Sequence, residues 1–356
     1  MRKVNWAILG GGRMSKVFAE TIFKDKNSNL VCIASKTLKN RNYFKKKYNK
    51  NYYKNFSVFR TYNKILNNKK IDIVYVSLIN KLHKEFILKC IKKKKNILVE
   101  KPSFLKLSDL ILCKKLLIKN KIFFMESMMN LFHPQLKNII EIIKKNEIGK
   151  VLEINSSFGS KVKSTDERFK RILTDRYGGG AIFDLGCYPI VFSIIVASVC
   201  ENQFVKLKNF FGFNSKNYLN IDETAYAKII FNNNITSNIA VSVKKKFKKP
   251  TVIKGTKGKI LIFNPWTPDK NYKIIVYSNS SKKIYNFRCR KSIYEYQLNY
   301  ANRQIFMKKY YSKDYKINWD LLENYIKILE IWKSQTSPEK NSIINFFKKI
   351  NLIIKF

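Results

Sequence analysis

Histidines and paired cysteines are scarce in this sequence, which argues against a common kind of metal site. The chain of 356 residues has two histidines, His83 and His133, and its six cysteines include no Cys-x-x-Cys pair. Zinc sites in proteins are usually built from closely spaced Cys and His ligands. We therefore expect no metal site, and we expect free cysteines, as suits a reducing cytoplasm.

Long apolar runs are absent as well. The longest, residues 187–200, contains Pro189 and falls short of the ~20 residues that a membrane-spanning helix needs. This run predicts a buried core helix. The apolar run 4–9 is too short for a signal peptide and leads into glycines instead of a cleavage site. The sequence thus predicts a cytoplasmic protein without a membrane segment.

Acidic residues are few compared with basic ones. The 71 Lys and Arg residues against 24 Asp and Glu residues give a formal net charge of +47. Such an excess suggests a nucleic-acid or anionic-membrane partner. The lysines are, however, spread along the whole chain beside asparagine and isoleucine. This distribution favours a solvated basic surface and no specific nucleic-acid partner, with runs 92–95 and 244–249 as possible exceptions.

The N-terminal end carries the order strand, glycine turn, helix. Val4–Leu9 is apolar, Gly10-Gly11-Gly12 follows, and apolar residues then recur at helical spacing after Arg13, Met14 and Ser15. Gly10 permits a tight turn, Gly12 lets the backbone approach a pyrophosphate, and the helix N-terminus offers unpaired N–H groups. Ser15 stands at the third glycine position, where a small residue still allows close packing. The pattern predicts a dinucleotide site.

The residues after the second strand select the cofactor. An acidic residue there would bind the ribose 2'-hydroxyl of NAD. Ser35 and Lys36 stand there instead, with Arg41 further on. A hydroxyl and a cation suit a 2'-phosphate, so the sequence favours NADP, with NAD as the alternative. Lys36 is otherwise one more surface lysine.

Two further strand ends carry polar residues in the predicted parallel sheet. Asn80 and His83 follow the apolar run 71–79, and Glu100-Lys101-Pro102 follows Ile97–Val99. Open α/β sheets bind ligands at the carboxyl ends of their strands. We expect Asn80, His83 and Glu100 to line the nicotinamide side, and Pro102 to direct the Lys101 amine into the crevice. Residues 1–125 are predicted to form this doubly wound domain.

Residues 126–356 have a different pattern, in which short strands alternate with turn signals. The sequence predicts an α+β domain with a large, mainly antiparallel open sheet. Within it, Gly178-Gly179-Gly180 precedes an apolar segment that contains Asp184 and Tyr188. Four residues apart on a helix, these two side chains share one face, which suits the floor of a pocket. The alternative is a buried helix with two hydrogen-bonded polar groups.

Taken together, these motifs resemble the glucose-fructose oxidoreductase / inositol dehydrogenase (Gfo/Idh/MocA) family. The resemblance rests on the glycine turn, on Glu100-Lys101-Pro102, on Phe132-His133-Pro134-Gln135 and on residues 178–189. Many members of the family have a histidine where this chain has Tyr188. A tyrosine at this position resembles the subgroup of dimeric dihydrodiol dehydrogenases and NADP-dependent D-xylose 1-dehydrogenases. Ile79 and Leu131 depart from the family pattern, which usually has proline and arginine there.

The resemblance implies a Rossmann domain followed by a substrate domain whose sheet often forms a homodimer or homotetramer. It places the catalytic lysine at Lys101 and a proton donor at Tyr188. A lysine beside a positively charged nicotinamide loses its proton more readily and can act as a base. If Lys101 lowers the pKa of Tyr188, the phenol could act as a base too, and the pair could share the proton. Asp184 would orient a substrate hydroxyl or Lys101.

The function implied is hydride transfer between NADP and a sugar, polyol or cyclic diol. Two alternatives remain at this point. One is a non-catalytic NADP-binding regulator of the same fold, and the other is a sugar-nucleotide dehydrogenase. A nucleic-acid binder would rest on the charge alone.

Overall fold

The computed structural model describes residues 2–48, 56–166, 169–174, 177–199, 205–216, 221–279, 281–310 and 314–335. Cys200, where the predicted core helix ends, lies outside these ranges. Two β-sheets organise the chain, and they are formed by consecutive parts of the sequence.

The first sheet has six parallel strands in the order β3-β2-β1-β4-β5-β6. They are β1 (Val4–Leu9), β2 (Ser28–Ala34), β3 (Ser57–Phe59), β4 (Ile73–Val76), β5 (Asn96–Val99) and β6 (Phe124–Glu126). The side chains of residues 6–9 have no exposed surface. A strand covered on both faces needs apolar side chains in both directions, so it appears in the sequence as a continuous apolar run. The predicted doubly wound parallel sheet is confirmed.

Five helices connect these strands. They are α1 (Arg13–Lys24), α2 (Leu38–Lys47), α3 (Asn63–Leu66), α4 (His83–Lys92) and α5 (Leu107–Lys119). α1 shows why they pack: Phe18, Ala19 and Ile22 are spaced to share one face, and all three are fully buried. The strand order reverses between β1 and β4, so a crevice opens at the carboxyl ends of these two strands.

The second sheet has eight strands in the order β14-β13-β12-β11-β7-β10-β9-β8, and only the pair β7 and β10 is parallel. The strands are β7 (Val151–Gly159), β8 (Leu207–Lys216), β9 (Asp222–Phe231), β10 (Thr236–Ser242), β11 (Thr251–Gly255), β12 (Gly258–Ile262), β13 (Asn271–Ser278) and β14 (Ser281–Arg288). The predicted large, mainly antiparallel sheet is confirmed. Sequence patterns missed β8 and β14, which are the two edges of this sheet.

In the described ranges, the C-terminal part of the chain has five further α-helices. They are α6 (Pro134–Lys144), α7 (Phe169–Ile172), α8 (Cys187–Ser198), α9 (Ile293–Phe306) and α10 (Trp319–Ser334). A π-helical turn, Ile182–Gly186, leads directly into α8. Every residue of α8 except the last is buried, as predicted for a core helix.

Helices α9 and α10 return to the first sheet. The indole N–H of Trp6 in β1 donates to Oδ1 of Asn302 in α9 over 3.0 Å. Lys114 of α5 pairs with Glu323 of α10 at 2.6 Å. These contacts pack α9 and α10 against the first domain. The boundary between residues 125 and 126 stays a prediction, although β6 ends within one residue of it.

The described ranges can be searched for membrane-spanning helices and for metal sites. There, no helix is both long and apolar enough to cross a membrane. No group of three or more His, Cys, Asp or Glu side chains in those ranges could hold a metal ion. The five cysteines that the structure describes are buried and free of disulfides.

Candidate active site

A cleft with a cavity of about 640 Å³ lies where the carboxyl ends of β1, β2, β4 and β5 face the second sheet. Its volume is in the range of small-molecule and cofactor sites. All but one of the side chains and glycines predicted for the site line this cavity. They are Gly10, Gly12, Arg13, Met14, Ser35, Lys36, Asn80, Glu100, Lys101, Asp184 and Tyr188. His83 is the exception.

The glycine turn has the backbone that a dinucleotide site needs. Gly10 has φ +114°, and a Cβ there would collide with the carbonyl oxygen of Ser77. A Cβ on Gly12 would meet nothing within 4 Å, because Gly12 borders the open cleft. No side chain in the described part of the chain caps the N-terminus of α1 at Gly12. Its N–H groups are therefore available to a phosphate, and the turn fits a bound pyrophosphate.

The end of β2 carries no carboxylate at the cleft. Ser35 is buried and Lys36 is exposed, and both line the cavity. Arg41 does not extend its Nη1 towards the cleft, because this atom donates to the carbonyl oxygens of Ser35 and Lys36 over 2.9 and 2.7 Å. Arg41 thus supports the turn that presents Lys36.

His83 lies behind the cleft instead of lining it. Its side chain is fully buried, and its ring nitrogens lie 2.8 Å from the carbonyl oxygen of Pro102 and 3.1 Å from that of Leu78. Burial lowers the pKa of His83 to about 4, although both carbonyl contacts oppose the shift. The ring is therefore neutral at pH 7 and donates from one nitrogen only. With a single N–H the ring can bond only one of the two carbonyl groups, at the turn after β4 or at the turn after β5.

Glu100 and Lys101 leave β5 towards the cleft, and Lys101 precedes a cis peptide bond to Pro102. The Glu100 carboxylate accepts a hydrogen bond from the hydroxyl of Tyr75 in β4. The Lys101 ammonium donates to the backbone oxygen of Asp184 and lies 3.3 Å from Oδ1 of the same residue. An ammonium has three N–H bonds, so one stays available to a ligand.

Asp184 is a buried carboxylate held by two cations. Besides Lys101, Arg171 donates from Nη2 to the same Oδ1 atom over 3.0 Å. Burial by itself would raise the pKa of Asp184, but the charges and hydrogen bonds of Lys101 and Arg171 outweigh it and hold the pKa well below its usual value. The carboxylate is charged at neutral pH. No hydrogen bond within the described ranges reaches its other oxygen, Oδ2.

Tyr188 meets Lys101 with its ring and not with its hydroxyl. The Lys101 ammonium lies 5.0 Å from the ring centroid, a cation–π geometry. The hydroxyl donates to Sδ of Met129 over 3.4 Å. Burial, helped by neighbouring Cys187 and Glu100, raises the pKa of Tyr188 well above its usual value. The condition under which Tyr188 would act as a second base, a lowered pKa, is therefore not met, and the phenol is protonated at neutral pH.

The glycine triplet shapes the opposite wall. Gly178 and Gly180 have φ +72° and +103°, and a Cβ on Gly180 would collide with the carboxylate of Asp222. Asp222 also accepts from the backbone N–H of Ile182 over 2.7 Å and pairs with Lys333. The amide of Asn80 donates to the carbonyl oxygen of Gly178 over 2.8 Å. The triplet therefore fastens the π-helical turn to the first domain and places Asp184 opposite Lys101.

Several residues that line the cleft were not predicted from the sequence. They include Phe158, Ser160, Arg171 and Tyr294. Phe158 at the end of β7 packs its ring edge against Tyr188 with centroids 5.3 Å apart. Tyr294 comes from α9, more than a hundred residues after Tyr188, and no local motif marks it. Arg171 lies on the short helix α7, in a polar segment without periodicity.

Two family descriptions match this chain. Residues 4–127 match an oxidoreductase family with an NAD-binding Rossmann fold. Residues 136–261 match the GFO/IDH/MocA C-terminal domain. Together the two ranges span most of the described chain and meet at the cleft.

Individual relatives agree with this assignment. A trans-1,2-dihydrobenzene-1,2-diol dehydrogenase of Xenopus laevis is 25% identical over 269 residues, which is 74% of this chain and 76% of the relative. An oxidoreductase of Rhizobium meliloti is 31% identical over 233 residues, or 63% of this chain and 65% of the relative.

Solved structures share the fold at low sequence identity. A 3-ketoreductase from Actinomadura kijaniata, in complex with NADP and TDP-benzene, has a TM-score of 0.82 at 15% identity and covers 94% of this chain and 98% of its own. An aldose-aldose oxidoreductase from Caulobacter crescentus has a TM-score of 0.79 at 18% identity, with coverage of 93% and 96%. With both domains matched in order, this chain belongs to the GFO/IDH/MocA family of oxidoreductases.

Proposed function

We propose that the protein transfers hydride between NADP and a hydroxyl-bearing carbon of a sugar or cyclic diol. The observation that carries the proposal is the placement of Lys101, Asp184 and Tyr188 in one cleft with the glycine turn. The glycine turn would hold the pyrophosphate, and the three side chains would meet the substrate oxygen. Bound NADP would supply the hydride acceptor, and this chain would handle the proton.

The proton is assigned to Lys101. During oxidation the hydride leaves carbon with its electron pair, the hydroxyl becomes a carbonyl, and the hydroxyl proton passes to the neutral amine of Lys101. In the opposite direction the ammonium returns that proton. Lys101 is held at Asp184 and over the Tyr188 ring, so its nitrogen is positioned before substrate binds.

Asp184 and Tyr188 are assigned to substrate alignment. Oδ2 of Asp184 can accept a hydrogen bond from a neighbouring substrate hydroxyl, because both cations contact Oδ1. Among the described residues the Tyr188 hydroxyl has only a weak sulfur acceptor, Sδ of Met129. It can therefore turn to donate to the substrate oxygen at little cost. A substrate with adjacent hydroxyls, as in a sugar or a trans-diol, provides partners for both.

The preference for NADP rests on the end of β2. Lys36 supplies a cation and Ser35 a hydroxyl where an NAD site has a carboxylate. The dihydrodiol dehydrogenase relative and the sugar-directed structural neighbours support the substrate class. A reductase of a dTDP-linked sugar from Saccharopolyspora spinosa is 32% identical over 129 residues. Nucleotide sugars are therefore a second substrate class to be tested.

A substrate and cofactor panel tests the proposal. The purified protein would be mixed with NADP or NAD and with aldoses, trans-cyclic diols and nucleoside diphosphate sugars, and formation of reduced cofactor followed. We expect turnover with an aldose or diol and faster turnover with NADP than with NAD. Turnover confined to nucleotide sugars would move the substrate to that class. Tight NADPH binding without turnover on any compound would contradict an enzymatic role and favour a regulator.

The second sheet is the proposed contact between subunits. Ser237 of β10 bonds to Ser193 of α8, so the opposite face of the sheet points away from this helix. Cross-strand partners on that face form a row, of which only Ile275 and Asn238 are buried. The row comprises Ile284, Ile275, Leu261, Val252, Asn155, Asn238 and Lys228. Its apolar half suits a homodimer or homotetramer, and the molar mass in solution tests this.

A further inference from the structure

Arg171 contacts the same carboxylate oxygen as Lys101, although it comes from a different part of the chain. Its Nη2 atom lies 3.0 Å from Oδ1 of Asp184, and the Lys101 ammonium lies 3.3 Å from that atom. The two cationic groups therefore face each other across one oxygen atom. A single carboxylate charge is shared between them.

The position of Arg171 is set by the glycine triplet. The N–H of Gly180 donates to the carbonyl oxygen of Ile172, the last residue of α7, over 2.7 Å. A Cβ on Gly179 would collide with the carbonyl oxygens of Arg171 and Ile172, so a glycine there lets the two segments approach closely. Ile172 itself is fully buried. The backbone of Arg171 is thus fastened to the segment that carries Asp184.

The guanidinium of Arg171 brings a permanent charge to the cleft. Its side chain is 30% exposed and lines the same cavity as Lys101. Within the described ranges, Asp184 is its one ion-pair and hydrogen-bond partner. Arginine keeps its proton at any pH at which the protein is folded, whereas a lysine can lose its proton. Arg171 therefore acts on Lys101 as a fixed positive charge.

This charge opposes the effect of Asp184 on Lys101. A carboxylate beside a lysine favours the ammonium form, which cannot accept a proton. In the proposed oxidation, Lys101 needs its neutral form to take the proton of the substrate hydroxyl. A second cation on the same oxygen weakens the attraction of Asp184 for the ammonium and also repels the ammonium directly. Asp184 can then position Lys101 without fixing its proton.

Other titratable groups near Lys101 do not supply such a charge. Four of them are uncharged at neutral pH, namely His83, Cys187, Tyr188 and Tyr294. Burial lowers the pKa of the histidine to about 4, raises the pKa of the cysteine to about 12 and raises the pKa of both tyrosines. Glu100 lines the cleft as a second carboxylate beside Asp184. Of these neighbours only Arg171 is a cation, so the offset is assigned to it.

We propose that Arg171 is a positioning residue which, by sharing Oδ1 of Asp184, favours the neutral form of Lys101 near neutral pH. For this role Arg171 needs no contact with substrate or cofactor. The inference rests on the proposed role of Lys101 as proton acceptor. It adds to that role a side chain from a separate helix that sets the pH range of the reaction.

The pH dependence of hydride transfer tests the proposal. Single-turnover formation of reduced NADP would be followed between about pH 6 and about pH 10, the range in which active-site lysines titrate. Arg171→Gln removes the charge and keeps an N–H donor. We expect the midpoint of its pH profile to rise by about one pH unit, so that oxidation at neutral pH slows about tenfold while the rate at high pH stays close to that of the wild type.

Two further variants isolate the charge. Arg171→Lys restores a cation and should return the midpoint towards that of the wild type. Lys170→Gln is the matched control, because Lys170 is an exposed cation on the same helix that does not line the cleft. Its pH profile should equal that of the wild type.

Three results in Arg171→Gln would overturn the proposal. One is an unchanged profile, and another is a rate lowered by the same factor at every pH, as a merely structural role predicts. The third is a higher substrate requirement with an unmoved midpoint, which would make Arg171 a substrate-binding residue. If instead Lys101→Met transfers hydride as fast as the wild type, the assignment of the proton to Lys101 fails, so the two failures are distinguishable.

Discussion

The ammonium of Lys101 lies over the ring of Tyr188, 5.0 Å from its centroid, while the Tyr188 hydroxyl contacts Sδ of Met129. The two groups are neighbours but do not share a hydrogen bond. Because burial also raises the pKa of Tyr188, we propose its hydroxyl as a hydrogen-bond donor and not as a base. In our proposal the two roles are separate: Lys101 accepts the proton, and Tyr188 donates a hydrogen bond to the substrate.

Removing only the hydroxyl of Tyr188 tests this separation. Tyr188→Phe keeps the ring that contacts Lys101 and Phe158. We expect kcat to fall by about a hundredfold, because a donor to the substrate oxygen is lost. The free energy of unfolding should change by less than about 1 kcal/mol, because the lost partner is a sulfur atom. An unchanged kcat in steady-state kinetics would contradict a role of the Tyr188 hydroxyl in the reaction.

Replacing Asp184 by asparagine removes the shared charge between Lys101 and Arg171. The Asp184 side chain is 6% exposed, and loss of one partner of a buried ion pair costs about 3–5 kcal/mol. We expect denaturant unfolding of Asp184→Asn to show a loss of this size. Glu20→Gln is the control, because Glu20 also meets two lysines, Lys24 and Lys47, but is 43% exposed. The Glu20→Gln variant should lose less than about 1 kcal/mol of stability. An equal loss of stability in the two variants would contradict a strongly stabilising buried carboxylate at Asp184.

Alanine should have different effects in the two glycine segments: lower stability at Gly180 and weaker cofactor binding at Gly12. Gly180→Ala adds a Cβ that collides with the Asp222 carboxylate at a φ of +103°, so we expect a loss of at least about 2 kcal/mol of stability. Gly12→Ala meets open space at a φ of −72° and should stay within about 1 kcal/mol of the wild type. It should nevertheless weaken NADPH binding, because its Cβ occupies the cleft. Thermal melts and NADPH titrations measure both effects, and normal NADPH binding by Gly12→Ala would contradict the pyrophosphate site.

His133 makes stability depend on pH. Its Nδ1 accepts from the N–H of Gln135 at the start of α6, and burial lowers its pKa from 6.5 to about 4. Between these values the unfolded chain binds a proton that the folded chain does not, so stability falls as pH drops from 6.5 towards 4. The loss amounts to up to about 3 kcal/mol.

The variant His133→Asn isolates this contribution, because asparagine keeps a capping oxygen and does not titrate. His83 is present in both proteins and its effect cancels. We expect the stability of the variant, relative to the wild type, to rise as pH falls from about 7 to about 4 in denaturant titrations. A constant difference across that range would mean that His133 titrates alike in both states.

The sequence predicted those features that local patterns encode. Continuous apolar runs marked most of the parallel strands, and Gly10 and Lys101 could be placed at strand ends. All three strands that were missed, β3, β8 and β14, are edge strands. An edge strand has one partner and fewer buried side chains; β14, for example, has none that is fully buried. Its alternation of apolar and polar residues is correspondingly weak.

Only part of the site was predicted, because local sequence patterns encode only some of its residues. His83 follows a strand end as a ligand-binding residue would, but its side chain turns inward to the carbonyl groups of Leu78 and Pro102. The direction of this side chain depends on how α4 packs against the sheet, and the spacing of residues in the sequence does not show that packing. Arg171 reaches Asp184 from a separate helix, and Tyr294 reaches the cleft from α9. Such long-range contacts leave no local signature in the sequence.

The most direct test of the account is the rate of hydride transfer in Lys101→Met with the best substrate of the panel. Single-turnover formation of reduced NADP should slow by at least about a hundredfold, while NADPH still binds. Lys106→Met, which alters an exposed lysine outside the cleft, should react as the wild type does. Hydride transfer at the wild-type rate in Lys101→Met would contradict the assignment of the proton to Lys101.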